Sequence, residues 1–226
     1  MTISTSHLTR TAGVFAVASG LLYIIIQFVH PAEDAATVTT GTWSIVGSMT
    51  EFMATFGMVG VTGIYLRQVT TSGILGLIGF VLFWCFYLLT AAFNFAETLI
   101  MPPLAAQAPQ FVNSFEGIFT ETAPQVDIGV LPAVSPIAAV LYMLGGALFG
   151  LAIFRARVLD RWAGALRAVG AVSTLAVPLL PHAVGRFAAI PVGLAMVWLG
   201  YSLWTLERRT ILPHGGGPLL DLSTAT

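Results

Sequence analysis

The strongest constraint on this chain is a series of long apolar runs. The first, 12–29, reads AGVFAVASGLLYIIIQFV, carries no charge and is long enough to cross a hydrocarbon layer as a helix. Further runs lie at about 43–66, 73–99, 129–154, 162–181 and 187–206. At about 20 residues per crossing they take up roughly half the chain and leave no room for a soluble domain. They predict an all-α polytopic membrane protein: one transmembrane domain over 1–209, a compact bundle of six helices. Met101-Pro102-Pro103 is expected to stop the third helix, since adjacent prolines oppose its continuation. The fifth run is shorter and more broken, with Arg167 near one end and Pro178 and Pro181 near the other. After Glu207-Arg208-Arg209 the tail, 210–226, has no periodic pattern and is expected to be disordered.

With 57% hydrophobic and 8% charged residues, an ordinary cytosolic domain is excluded, because such domains carry roughly a quarter charged residues. The net charge of −1 provides no basic field for nucleic acid. All nine basic residues are arginine, and their placement tests the span count. Arg10, Arg67, Arg155, Arg157, Arg161, Arg167, Arg208 and Arg209 fall on one side of a six-crossing chain, with only Arg186 on the other. Short cytoplasmic loops collect arginine and lysine, so both termini are expected in the cytoplasm and the chain in the cell membrane, as a multi-pass protein of the bacterial inner-membrane kind. The opposite side receives Glu33, Asp34, Glu116, Glu121 and Asp127. A cleaved signal peptide is the rival reading of 1–30, but the run is longer than a usual signal core and no clean A-x-A site follows. The single cysteine, Cys85, lies within an apolar run and reads as a packing residue.

Small residues recur as Ala12, Ala16 and Gly20, as Gly57, Gly60 and Gly63, as Gly73, Gly76 and Gly79, and as Gly146 and Gly150. In lipid such spacing marks close helix contacts, either within one bundle or in a homo-oligomer. In the longest loop, 101–128, Phe111, Val112, Phe115, Ile118 and Phe119 form one helical face. Glu116 and Glu121 lie outside that apolar set. The segment reads as a short amphipathic helix on the outer interface, either a plain connector or a cover for a cavity.

Ionisable groups inside spans are costly and tend to face the bundle interior or a wet cavity. Glu51 lies roughly 10 Å into the second span, on a face with Ser44, Ser48, Thr55 and Thr62. The third span presents Tyr87, Thr90, Asn94, Glu97 and Thr98 on a comparable face. His30, His182 and Arg186 map to the same outer level. The candidate site is therefore Glu51, Glu97, Asn94, Tyr87, Thr55, His30, His182 and Arg186. Such groups suit proton relay or a small polar ligand, with Arg186 pairing an anionic group. No metal-site spacing such as H-E-x-x-H occurs, so no metal is assigned. No cofactor is indicated by motif, and the absence of lysine excludes Schiff-base attachment of retinal or pyridoxal phosphate and a Walker lysine.

The opening segment, RTAGVFAVASGLLYIIIQFV, resembles that of small uncharacterised bacterial multi-helix membrane proteins of the DUF4386-like kind, which begin with an arginine, an Ala-Gly pair and a long apolar helix. The resemblance implies the six-helix layout and supplies no catalytic residues. The residues lead to a protein that binds or transports a small molecule or lipid through a polar site in the outer half of the bundle, with the bilayer and such a ligand as partners. The alternatives are an intramembrane enzyme using Glu51 or Glu97 with His30 or His182, and an assembly subunit of a membrane complex.

Overall fold

The computed structural model describes residues 4–120, 122–175 and 186–211, with side chains in the last stretch described over 187–206. All regular structure among these residues is helical. Helix α1 (Thr5–Val29) starts before its apolar run because the Ser4 hydroxyl caps it, accepting from the His7 N–H at 3.3 Å. Thr40 caps α2 (Gly41–Arg67) in the same way through the Trp43 N–H. Helix α3 (Val69–Phe95) contains a break at Gly73, whose φ of 56° and ψ of −161° suit only glycine. It passes into a π-helical turn, Ala96–Ile100, and then α4 (Met101–Leu104). Helix α5 (Pro109–Glu116) follows, then a 3₁₀ turn (Leu131–Ala133) leading into α6 (Val134–Ala156). The chain continues with α7 (Arg161–Ser173), a second 3₁₀ turn (Arg186–Ala189) and α8 (Ile190–Ile211).

Among the described residues, five helical stretches are long and apolar enough to cross a membrane: Thr5–Val29, Gly41–Arg67, Val69–Leu104, Leu131–Ala156 and Phe187–Leu206. The third corrects the expected stop at Met101. Pro102 and Pro103 occupy the first turn of α4, where a missing N–H leaves no bond unmade, and the wider π turn precedes them. The fifth apolar run yields α7, whose 13 residues are too few to count among these stretches. The rest of that run, with Pro178, Pro181 and His182, lies outside the described residues, as does the tail beyond Ile211. The helical backbone of α8 continues through Arg208 and Arg209 to Ile211, past the end of the apolar pattern.

Neighbouring helices run antiparallel and approach through their glycines. A methyl group added at Gly20 would meet the Gly193 carbonyl oxygen at 2.5 Å, and one at Gly200 the Gly13 carbonyl at 2.6 Å, so α1 and α8 touch backbone to backbone. Gly60 faces Ala16 between α2 and α1, Gly145 faces Phe83 between α6 and α3, and Gly150 faces Gly164 and Ala168 between α6 and α7. The small-residue stripes in the sequence are thus occupied by contacts within the chain. The connectivity gathers Arg10, Arg67, Arg155, Arg157 and Arg161 at one end of the bundle, where Arg10 lies over Trp204 at 5.1 Å. The other end carries His30, Glu33, Glu97, Glu116 and Asp127. These are called the arginine end and the acidic end below.

At the acidic end α5 packs inward. Val112, Phe115 and Ile118 are buried with Val38, Trp43, Phe93, Met101 and Ile128 in a cluster of their own. Phe115 stacks on Phe93 with ring centroids 4.5 Å apart. Asn113 accepts from the Ala35 N–H at 2.8 Å, and Ser114 accepts from the Gln125 N–H at 2.8 Å, tying α5 to both flanking loops. The expected amphipathic helix is present, with one correction. Glu116, expected outside the buried face, is only 1% exposed.

Candidate functional site

The acidic end is organised by side chains reaching between helices. Asn94, near the end of α3, donates to the Gly47 carbonyl at 2.9 Å and to Glu51 Oε2 at 3.1 Å. One buried amide therefore joins α3 to α2 and holds the Glu51 carboxylate. Three positions further along, the Trp43 indole N–H donates to the Glu97 carbonyl at 3.1 Å, the backbone of the π turn being the acceptor. Such single π turns recur at functional sites because the added residue redirects the side chains around it.

Three carboxyl groups meet above this turn. Glu97 and Glu116 face each other within hydrogen-bonding range, and Glu33 adds its charge to both. No donor among the described residues reaches either Glu116 oxygen. Burial, and then the charge of Glu33, push Glu116 up to about 8. Asp34 lies at the rim and moves the opposite way. The N–H and hydroxyl of Thr37 bond its carboxylate and hold it below the ordinary range. His30 Nδ1 stands 3.8 Å from Glu33 Oε1 and donates to the Pro31 carbonyl at 2.9 Å.

His30, Glu33, Asn94 and Glu97, with Thr50, Thr90 and Gln27, line a cavity of about 300 Å³ whose remaining wall is apolar. A second hollow of about 540 Å³ shares Tyr23, Gln27, Phe86, Phe119 and Ala138 with the first, so the two adjoin. The second is overwhelmingly apolar and runs between α6 and the start of the α8 segment, past Met143, Thr174, Leu175 and Ala188. The combined space has a carboxylate-bearing head and an apolar body. Phe119, from the far end of the α5 face, stands at the junction and is 45% exposed.

Below this space lies a charge that the sequence reading placed at a loop end. Arg167 of α7 is 0% exposed and sits inside the bundle, with its guanidinium 3.9 Å over the Phe83 ring and 5.5 Å from Phe149. None of its three nitrogens has an acceptor among the described residues, and Tyr23, Tyr87 and Tyr142 are the groups that interact with it electrostatically. Cation–π attraction contributes about 2 kcal/mol when desolvated, against a penalty of several kcal/mol for an unpaired buried ion. Arginine does not escape by losing its proton.

Of the residues singled out from sequence, the structure brings His30, Asn94 and Glu97 to one cavity. Glu51 is half-buried and stands outside that lining, joined to it through Asn94. Tyr87 is buried in the core, edge-on to Phe83, rather than in the cavity wall. Thr55 is exposed and belongs to a separate groove of about 430 Å³ with Leu8, Met58 and Trp84, towards the arginine end. His182 and the side chain of Arg186 lie outside the described residues, though the Arg186 backbone opens the α8 segment at the acidic end. Among the described residues no group of three His, Cys, Asp or Glu side chains is placed to hold a metal ion. Sequence reasoning missed Glu33, Glu116 and Arg167 as parts of the interior. A signal for Arg167 was present, since it lies inside the apolar segment WAGALRAVGAVS rather than at its border.

No family model matches the chain, and neither a curated protein nor a solved structure shows significant similarity to it.

Proposed function

We propose that the protein is a six-crossing cell-membrane protein with cytoplasmic termini that binds, and moves across or along the bilayer, an amphiphilic small molecule or lipid. The head of the ligand is cationic or rich in hydrogen-bond donors. The observation that carries the reading is that the two hollows adjoin, with Glu33 and Glu97 lining the smaller and a largely apolar wall around the larger. A charged ligand without an apolar body would leave most of that wall unused, and a plain hydrocarbon would make no use of the polar end. The clustering of arginines at one end supports cytoplasmic termini. The sixth crossing is supported by α7: the Asp160 N–H before it bonds Ser202 late in α8 at 3.2 Å, while Gly170 near its end faces Val192 early in α8. The opening segment supports kinship with the DUF4386-like proteins.

A blocking substitution tests the reading. Ala138 lines both hollows and is 7% exposed, so Ala138→Trp fills their junction. We expect it to abolish saturable binding of dodecyltrimethylammonium by the purified chain in nanodiscs, while Leu144→Trp, at an exposed site on the same helix that lines neither hollow, binds as the parent does. Undiminished binding by Ala138→Trp removes the cavity reading.

A further inference from the structure

Arg167 calls for an anion, and the larger hollow approaches it through Tyr142 and Tyr23. Its guanidinium is fully enclosed, has no acceptor among the described residues, and has no carboxylate among its electrostatic partners. The carboxylates described above belong to the acidic end, grouped around Glu97. Tyr142 stands between the guanidinium and the larger hollow, which it lines together with Tyr23. The Tyr142 and Tyr23 hydroxyls lie beside each other, so an incoming head group displaces that pairing. A planar guanidinium presents paired donors that match the two oxygens of a carboxylate.

We infer that Arg167 is the head-group site for a single-chain anionic amphiphile, a fatty carboxylate, whose chain lies in the apolar hollow along Ala139, Met143 and Leu175. The walls favour a carboxylate over a phospholipid head. Phe83, Phe149 and the tyrosines crowd the guanidinium, which favours a small two-oxygen head over a phosphate substituted with glycerol. The head-group site is distinct from the carboxylates of the outer cavity and takes the opposite charge, while the chain uses the apolar hollow of the reading above, so the two are separated at the head group by the Arg167 variant.

The experiment uses the full chain in phosphatidylcholine nanodiscs and follows thermal unfolding with added dodecanoate, dodecanol or inorganic phosphate. The expected result is a saturable rise of several degrees in the midpoint with dodecanoate and none with dodecanol or phosphate. Arg167→Met is expected to remove that rise while leaving dodecyltrimethylammonium binding intact. If this variant does not fold, Arg167→Lys carries the test, because it keeps the charge without the fork and is expected to weaken dodecanoate at least tenfold. Equal stabilisation by dodecanoate and dodecanol overturns the inference, and so does an undiminished dodecanoate effect in the Arg167 variant that folds. A rise with inorganic phosphate alone, or on replacing phosphatidylcholine with phosphatidylglycerol but not on adding dodecanoate, also overturns it in favour of a different anion.

Discussion

The carboxyl group of Glu116 faces that of Glu97 across the junction between α5 and the π turn, with Glu33 close enough to oppose ionisation of Glu116. A short helix that looks like an interfacial connector therefore places an acid over the bundle, where burial favours its protonated form. Its titration is part of how the acidic end is held together.

The sign of the pH effect follows. Glu116 is raised from 4.5 to about 8, so the folded state holds a proton that the unfolded chain has already lost. The associated stability is fully present below pH 4.5 and is lost as pH rises through about 8. Unfolding midpoints measured across this window should fall as pH rises, and Glu116→Gln, which is neutral throughout, should flatten that part of the profile. An identical slope in the variant would assign the dependence to other groups, with His30, Glu33 and Asp34 the nearest.

Much of the fold was legible because the bilayer imposes length and period directly. The starts of α1 and α2 follow from apolar runs preceded by Ser4 and Thr40, and the acidic level of His30, Asn94 and Glu97 follows from counting residues inward. Rotational setting was less accessible. Thr55 and Glu51 share a broad helical face in projection, yet packing of α2 against α1 and α3 leaves Thr55 exposed in another groove and Glu51 bonded to Asn94. Arg167 was read as a flanking charge because periodicity cannot show that α7 packs its middle against α6. Glu116 was read as outward because its helix was placed on a membrane surface, whereas Asn113 and Ser114 bind that helix to the bundle through polar contacts.

Asn94 carries the α2–α3 connection at this end. Replacing it with leucine removes both bonds and leaves Glu51 without that donor, at a cost of about 1–3 kcal/mol. The check is urea unfolding in mixed micelles. A loss no larger than that of Thr90→Val, whose hydroxyl bonds only its own helix at 2.9 Å, would show that the Asn94 contacts contribute little.

Gly73 offers a backbone test with no packing component, since nothing lies within 4 Å of an added methyl group. Its positive φ still makes Gly73→Ala unfavourable by about 1–3 kcal/mol. Gly41→Ala, equally open and at ordinary φ, should be close to neutral. Equal thermal midpoints for the two variants would contradict the break in α3.

Sidedness is tested by single cysteines in a Cys85→Ser background. Asp127→Cys should react with an impermeant maleimide added to intact cells, and Arg157→Cys only after permeabilisation. The reverse pattern would invert the orientation, and labelling of both from outside would break the six-crossing account.

The central claim is that the acidic end of the cavity recognises a positively charged head. It is tested most directly by equilibrium binding of dodecyltrimethylammonium to the purified chain and to its Glu33→Gln/Glu97→Gln variant, with dodecanol as the uncharged reference. The account predicts at least tenfold weaker binding of the cation by the variant, about 1.4 kcal/mol, with dodecanol unchanged. Equal affinity of both proteins for the cation would contradict it.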